Sequence, residues 1–319
     1  MCGHRKHALV LAGVLLPALP AQAQAQAAAA GAVAPAAIAP AADTTTAVSA
    51  TLEAGPKKQW QASASAQYRQ LAISDPDPAN DRVVLWSLGG SVGVFKGGKV
   101  FLRFGMSERF VAEGAESGFK LRDSAIGLSY GHELPFDDAG NDKLSFSHKL
   151  AFFLPTSRAS LAQDLYVAPQ YVLALSYELV HGLTVVFSPD ARYRWHQYSE
   201  RAGYDGVMNV QWELNAHGGL DWTFLESARF GNLGIGGSAG SGWQRKYPSR
   251  DDHTSTRADT AVWSQSYDWE AHVGYDPVPF LSLGVGLEHG GSVLRDGIVN
   301  TFLTHRDETE LAFTVSGTY

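Results

Sequence analysis

The chain has 319 residues, 45% of them apolar and 18% charged, with a formal net charge of −7. This composition excludes a disordered chain and an all-helical membrane protein, and the acidic balance excludes a broadly basic surface for nucleic acid. A single cysteine, Cys2, excludes a disulfide framework within the chain.

In chain order, the first element is an export signal. His4, Arg5, Lys6 and His7 form a basic start, and Ala8 to Pro20 is an apolar run too short and too broken by proline to span a bilayer. Ala21-Gln22-Ala23 supplies the small-x-small pattern of a cleavage site, so residues 1–23 are expected to be a signal peptide. Residues 24–56 are rich in alanine and carry Pro35, Pro40 and Pro56 with no apolar periodicity, as a flexible periplasmic spacer would. No later stretch of about 18 apolar residues suggests a membrane-crossing helix.

From residue 57 onward the sequence alternates. Successive side chains of a strand face opposite sides, so a wall with two different faces needs period two. Leu311, Phe313, Val315, Gly317 and Tyr319 alternate with Glu310, Ala312, Thr314, Ser316 and Thr318. Trp263, Tyr267, Trp269, Ala271, Val273 and Tyr275 do the same over 260–275, as do Trp212, Leu214, Leu220, Trp222 and Phe224 over 210–224. Breaks between such runs predict about twelve strands, over 58–73, 82–95, 99–110, 121–134, 143–155, 164–179, 182–198, 207–224, 229–245, 259–275, 279–294 and 307–319. Most exceed ten residues. A tilted strand needs about 9–11 to cross a bilayer, whereas soluble strands average about five or six. The connections alternate between a mostly short set and a mostly longer polar set, with 135–142 the exception among the short ones. An even strand number puts both termini at the short-turn end. The expected fold is all-β: one antiparallel, up-and-down transmembrane β-barrel of about twelve strands over 57–319.

The last ten residues resemble the closing strand of bacterial outer-membrane β-barrel proteins. Those end on an aromatic residue preceded by apolar residues at every second position, as Tyr319, Val315, Phe313 and Leu311 do here; Gly317 departs from the preferred large residue. The resemblance extends as architecture over 58–319. It implies an outer-membrane location, contact with outer-membrane lipid, and transient recognition of Phe313 and Tyr319 by the barrel-assembly machinery. Aromatic girdles are expected at the two membrane interfaces, with Trp86, Trp195, Trp243 and Trp263 at the outer one. Trp60, Tyr177, Trp222, Tyr275, Phe280 and Tyr319 belong to the inner one.

Parity turns several charges inward. Asp190, Arg192, Arg194 and His196 share one face, as do Glu213, His217 and Asp221, and hairpin geometry sets Arg192 opposite Glu213. Asp268 is placed near Glu288, with Glu270 and His272 alongside, and Arg69, Arg103, Lys149 and Glu178 also point inward. Arg192, Arg194, Glu213, Asp268, Glu270 and Glu288 are the candidate lining of a narrow porin-like channel for small solutes. Two other classes remain: a scaffold barrel of an envelope machinery, and an outer-membrane lipid hydrolase built on His196 and Ser199. Regular strand geometry sends those two to opposite faces, which argues against nucleophilic catalysis. No cofactor or metal is expected; Asp251, Asp252 and His253 are three adjacent loop residues, not a ligand set. Gly234, Gly236, Gly237, Gly240 and Gly242 precede no helix that would bind phosphate, and mark bends or close packing instead.

Overall fold

The computed structural model describes residues 60–71, 82–110, 118–135, 143–199, 208–227, 229–247, 263–292, 294–295, 298–299 and 309–319. The expected signal peptide and spacer, and Asp251 to His253, lie outside the described residues.

In chain order the elements are β1 (Trp60–Leu71), β2 (Arg82–Phe95), β3 (Gly98–Phe110), β4 (Gly118–Leu121), β5 (Ser124–Pro135) and β6 (Lys143–Leu154). A short helix α1 (Arg158–Ala162) precedes β7 (Leu165–Val180), β8 (Leu183–Tyr193) and β9 (Trp195–His196). Then come β10 (Val210–Ser227), β11 (Gly231–Lys246), β12 (Trp263–Val278), β13 (Leu281–Ser292), β14 (Leu294–Arg295), β15 (Ile298–Val299) and β16 (Thr309–Thr318). Twelve of these form a closed antiparallel ring in chain order: β1, β2, β3, β5, β6, β7, β8, β10, β11, β12, β13 and β16. The short β4 and β9 extend it by pairing with β3 and β7, and β14 pairs only with β15.

Closure is made where the first and last strands meet. Tyr68 and Ala66 pair with Phe313 and Val315 on one face, and Arg69 and Gln67 with Ala312 and Thr314 on the other. Ala62 and Tyr319 exchange two backbone hydrogen bonds, 2.9 and 2.8 Å, and the Trp60 and Tyr319 rings lie 5.4 Å apart. A ring of strands without an edge pairs its backbone groups within the wall, the condition for a sheet in lipid.

The two faces differ as the alternation requires. Leu88, Phe104, Ile126, Phe152, Phe187, Leu220, Ile235, Val273, Val285 and Phe313 come from ten different strands, and all are 40–53% exposed. A continuous apolar circumference of this kind is foreign to a soluble protein, whose exposed apolar patches are local. On the other parity lie Ser87, Gly89 and Ser91 of β2, Gln67 and Arg69 of β1, and the charges of β8 to β13. One inward sector is apolar instead: Ala125, Ala151, Phe153, Leu165 and Ala168 form a buried cluster with Phe101 packed against it.

The described short connections follow β2, β7, β10 and β12. Gly97, Gly182 and Gly231 stand in three of these turns with φ of 80°, 76° and 79°, a region L side chains avoid. The strand expectations hold to within a few residues, with three differences. The predicted 156–163 loop contains α1, whose N-cap Ser157 accepts a hydrogen bond from the Ser160 amide at 3.1 Å. The strand predicted over 182–198 breaks at Arg194, where β8 ends and β9 pairs instead with β7. A separate short strand, β4, lies mostly in the connection expected over 111–120, and the strand predicted over 121–134 begins as β5 at Ser124.

Gly127 faces inward where Phe101 crosses β5. A Cβ there would stand 2.1 Å from the Leu150 carbonyl oxygen and 2.7 Å from the Phe101 ring. Gly127→Leu is therefore expected to destabilise the barrel by about 1–3 kcal/mol, as overpacking does. The measurement is the temperature at which the folded, fast-migrating gel form converts to the unfolded one. An unchanged transition would contradict this packing.

Candidate functional site

The inward face of the wall carries a belt of charged and amide side chains linked from strand to strand. On β1, Arg69 pairs with Glu288 of β13 at 2.9 Å and approaches Glu310 of β16 at 3.7 Å. Gln67 donates to Glu288 at 2.6 Å and accepts from Arg69 at 3.0 Å, so one glutamine ties the cation to the acid. Glu288 stands directly opposite Glu270 of β12. The sequence placed Asp268 there; instead Asp268 lies opposite Gly290, and the register brings Glu270 to Glu288. The turn falls at Pro279 and Phe280 rather than over 276–279, which moves the pairing by two residues. Like charges face each other across the pair, and Arg69 offsets their repulsion.

Across the ring, Arg192 of β8 lies opposite Glu213 of β10, the pairing expected from parity. Arg194 is 2.8 Å and Arg192 3.8 Å from the Glu213 carboxylate, which is 4% exposed as a residue. Arg192 also donates to Gln170 at 3.0 Å. Gln170 donates to Asp190 at 2.8 Å, and Asn215 donates to the same carboxylate oxygen at 3.2 Å. Buried charges demand such partners, because an unpaired ion in a low-dielectric wall is costly.

The glycines of β11 join the two halves. Their inward positions leave a trough between β10 and β12. A Cβ on Gly240 would come within 2.2 Å of the His217 ring, and one on Gly236 within 2.1 Å of Asp221 and 2.6 Å of His272. Through these gaps His217 of β10 reaches Asp268 of β12 at 3.2 Å, and His272 of β12 reaches Asp221 of β10 at 3.4 Å. Both pairs pass over a complete strand, which any larger side chain at 240 or 236 would block. The sequence marked these glycines as close packing without identifying what they admit.

A third sector holds cations against aromatic rings. Lys149 of β6 lies 4.9 Å from the centre of the Phe101 ring. Arg103 and Arg192 lie 5.6 and 4.4 Å from the centre of the Phe153 ring. Arg103 and Lys149 were read as inward from parity, but their aromatic seats were not, because Phe101 and Phe153 are inward residues in strands otherwise apolar on the outside.

His196 occupies a different place, beyond the outer end of β8. Its Nδ1 lies 2.9 Å from the Gln163 carbonyl oxygen, and its ring packs edge-on against Tyr247 at 5.9 Å. The Asn209 amide also reaches the Gln163 carbonyl, at 3.4 Å, and the Gln197 amide bonds to the Asp164 carbonyl at 2.8 Å. Asp123 accepts from the Ser160 hydroxyl and, at 3.0 Å, from the Ser157 amide. These bonds fasten α1 to the rim from both sides. His196 thus latches a loop through its Nδ1. Burial is the largest influence on His196 and holds its pKa below the ordinary value; Arg194 acts in the same direction and the Gln163 carbonyl against it. Burial and Tyr193 push the neighbouring Tyr247 phenol up to about 12, so it stays protonated and donates to the Arg194 carbonyl at 2.7 Å.

The aromatic residues expected at the interfaces lie on the outer parity of the wall or at its ends. Trp195 is 59%, Trp263 50%, Trp222 46%, Tyr275 38% and Tyr319 71% exposed, while Trp243 is half-buried opposite Leu214. Among the described residues no group of three or more histidines, cysteines or carboxylates could hold a metal.

Two outcomes follow from these contacts. Glu213→Gln leaves Arg192 and Arg194 without their shared anion, and is expected to cost about 1–3 kcal/mol of stability in denaturant titration. An unchanged midpoint would mean the two guanidinium groups do not depend on it. The latch should weaken in acid: a buried histidine with a depressed pKa stabilises fully above its unfolded value of about 6.5, and its contribution is lost as pH falls below that. Amide-exchange protection at Leu161 and Gln163 is therefore expected to drop on acidification, and His196→Ala to lower it about tenfold already at neutral pH. Equal protection in variant and parent would show that α1 does not rely on His196.

No family model matches the sequence, and no curated protein matches it. Solved structures do. An outer membrane channel from Pseudomonas putida F1 aligns with a TM-score of 0.52 at 12% identity, over 85% of this chain and 98% of that one. The NanC porin aligns at 0.43 and 11% identity over 81% and 98%, and the KdgM porin at 0.37 and 10% identity over 81% and 99%. The alignment to the Pseudomonas channel runs nearly end to end along that barrel at an identity that carries architecture alone, and by that architecture the chain has the fold of the bacterial outer-membrane β-barrels.

Proposed function

We propose that the protein is a narrow, porin-like channel for small solutes in the bacterial outer membrane. The observation that carries this reading is the inward belt: a closed wall with an apolar exterior encloses Arg69, Asp190, Arg192, Arg194, Glu213, Asp268, Glu270 and Glu288. A barrel whose only task is to sit in the membrane can fill its interior with apolar side chains. Ionised groups held in fixed positions across a water-filled constriction select solutes by charge. Twelve strands are intermediate between about eight, which leave an interior filled by side chains, and the 16–18 of wide porins.

In this reading residues 1–23 direct export and are removed, and 24–56 form a spacer in the periplasm. The short turns and both ends of the barrel face that compartment, and the long loops with α1 face outward. Trp60, Trp222, Tyr275 and Tyr319 settle at the inner membrane–water interface and Trp195, Trp243 and Trp263 at the outer one. The strand ending in Phe313 and Tyr319 is presented to the barrel-assembly machinery before it pairs with β1. In this reading His196 serves to hold α1 at the rim.

The charges are unevenly distributed. Arg103, Lys149 and Arg192 stand on β3, β6 and β8, whereas Asp268, Glu270, Glu288 and Glu310 stand on β12, β13 and β16, far around the ring. A field directed across the lumen follows. The purified protein is expected to give stepwise conductance in planar bilayers. In a KCl gradient Arg192→Ala should move the reversal potential toward cation preference and Asp268→Ala toward anion preference. A folded barrel that carries no ionic current would sink the channel reading.

A further inference from the structure

We propose that Arg245, on the outward face of β11, seats the phosphate of an outer-leaflet lipid headgroup. This deepens the outer-membrane reading and takes the orientation of the barrel from it.

The pairing sets the face. Trp243 and Ser241, on the same side of β11 as Arg245, lie opposite Leu214 and Ala216 of β10, whereas Gln244 and Gly242 lie opposite the inward Glu213 and Asn215. Three tryptophans stand around Arg245. Trp212 is its partner on β10, Trp263 its partner on β12, and Trp243 is two residues below it on β11. Trp212 and Trp263 are 38% and 50% exposed, and Tyr193 of β8 extends the row with its ring 4.7 Å from that of Trp212.

Strand geometry sets the height of this row. Leu233, opposite Tyr275 of the inner girdle, lies 12 positions before Arg245. At a rise of about 3.3 Å per residue and a tilt of about 40°, the two are roughly 30 Å apart in height, one hydrocarbon thickness. Arg245 therefore stands where acyl chains give way to headgroups.

This face offers the cation no counter-ion. Among the described residues none of the outward positions of β10 to β13 is a carboxylate. Arg245 is half-buried, and its Nε is shut off from water without a hydrogen-bond partner. An arginine extended into bulk water leaves no donor in that state. A guanidinium held among rings at the edge of hydrocarbon is costly until an anion joins it. A second copy of the chain, docked by two-fold symmetry through this face, presents the same residues and so brings no carboxylate. A lipid phosphate supplies the anion. Its oxygens match the planar fork of the guanidinium, and the tryptophans cover the first carbons of its chains.

The test is native mass spectrometry of the folded protein in a neutral detergent, with equal amounts of dioleoyl phosphatidylglycerol and dioleoyl phosphatidylcholine. The two share their chains and differ in net charge. Phosphatidylglycerol is expected to be retained in excess. Arg245→Gln should lower the apparent affinity for it at least about tenfold, the loss expected of a charged hydrogen bond, and leave that for phosphatidylcholine unchanged. Lys96→Gln, which removes an exposed cation on the turn after β2, should change neither. Gel mobility before and after heating verifies folding; if Arg245→Gln does not fold, Arg245→Lys, which keeps the charge without the fork, carries the comparison with a smaller loss in the same direction. Equal retention of the two lipids by the parent overturns the seat, as does an undiminished preference in a folded Arg245 variant. Displacement of the lipid by an excess of inorganic phosphate would show a site for the free anion and overturn it too. None of these results touches the channel, which stands or falls on the KCl current. The leaflet is read separately on intact cells. Labelling of Lys96→Cys by a bulky, impermeant maleimide would overturn the assignment to the outer leaflet, and labelling only after lysis supports it.

Discussion

Everything in this molecule depends on the requirement that backbone hydrogen bonds be satisfied without water. In hydrocarbon an unpaired amide or carbonyl costs several kcal/mol, so a sheet is tolerated there only when it has no edge. The seam between β1 and β16 meets that requirement. It joins the two ends of the described barrel by a ladder running from Ser63 with Thr318 to Leu71 with Glu310, and the Ala62–Tyr319 bonds complete its lower end. The same requirement fixes the two-residue period. Closure gives each strand one face toward lipid and one toward the lumen, and a slip of one residue would exchange Phe313 and Val315 with Ala312 and Thr314.

Closure creates a second problem, which is how to place charge inside a narrow tube. Side chains from neighbouring strands meet readily, as Arg192 and Glu213 do, but pairing across an intervening strand is normally prevented by that strand's own side chains. The glycines of β11 remove the obstacle. Gly240 and Gly236 let histidines and carboxylates of β10 and β12 meet directly. Glycine in a strand costs backbone entropy, roughly 0.5–1 kcal/mol relative to alanine. A strand carrying several of them on one face is stabilised by what its neighbours gain, here two histidine–carboxylate contacts laid over bare backbone. The opposite sector uses the same device differently. Gly127 gives room to Phe101, and the small Ala125 and Ala151 let Phe153 lie close to the wall.

The architecture was legible in the sequence because its signal is repeated. Twelve alternating runs, the alternation of connection lengths and the Leu311-to-Tyr319 pattern each report the same fold, and closure makes them consistent. Which side each charge faces was also legible, since parity alone decides it. Contact was harder to read. The pairing of Arg192 with Glu213 followed from one hairpin, but Asp268 was assigned the neighbour that belongs to Glu270, because a turn displaced along the chain moves the register by two residues without changing parity. The His217–Asp268 and His272–Asp221 pairs were out of reach for a different reason. They join strands that are not neighbours, and a one-dimensional pattern carries no signal for a contact across a third strand. The helix α1 was missed because five residues between strands carry too little periodicity to register; its Ser157 cap and the Asp123 contact make sense only once β5 is in place.

The belt also shows why an inward charge and a functional charge are different things. In a lumen every polar residue points inward, so position alone distinguishes nothing. What separates them is how completely each is held. Glu213 is bound by two guanidinium groups and is almost fully buried, and Asp190 receives two amide donors; these carboxylates brace the wall. Asp268 and Asp221 are each held by a single histidine. Glu270 faces Glu288 across the sheet, and Glu288 is the one that Arg69 and Gln67 engage. In the proposed channel, selectivity would fall to the less completely held carboxylates of β10 and β12 and to the cations of β3 and β6. The Arg192–Glu213–Arg194 group braces the wall between those charges.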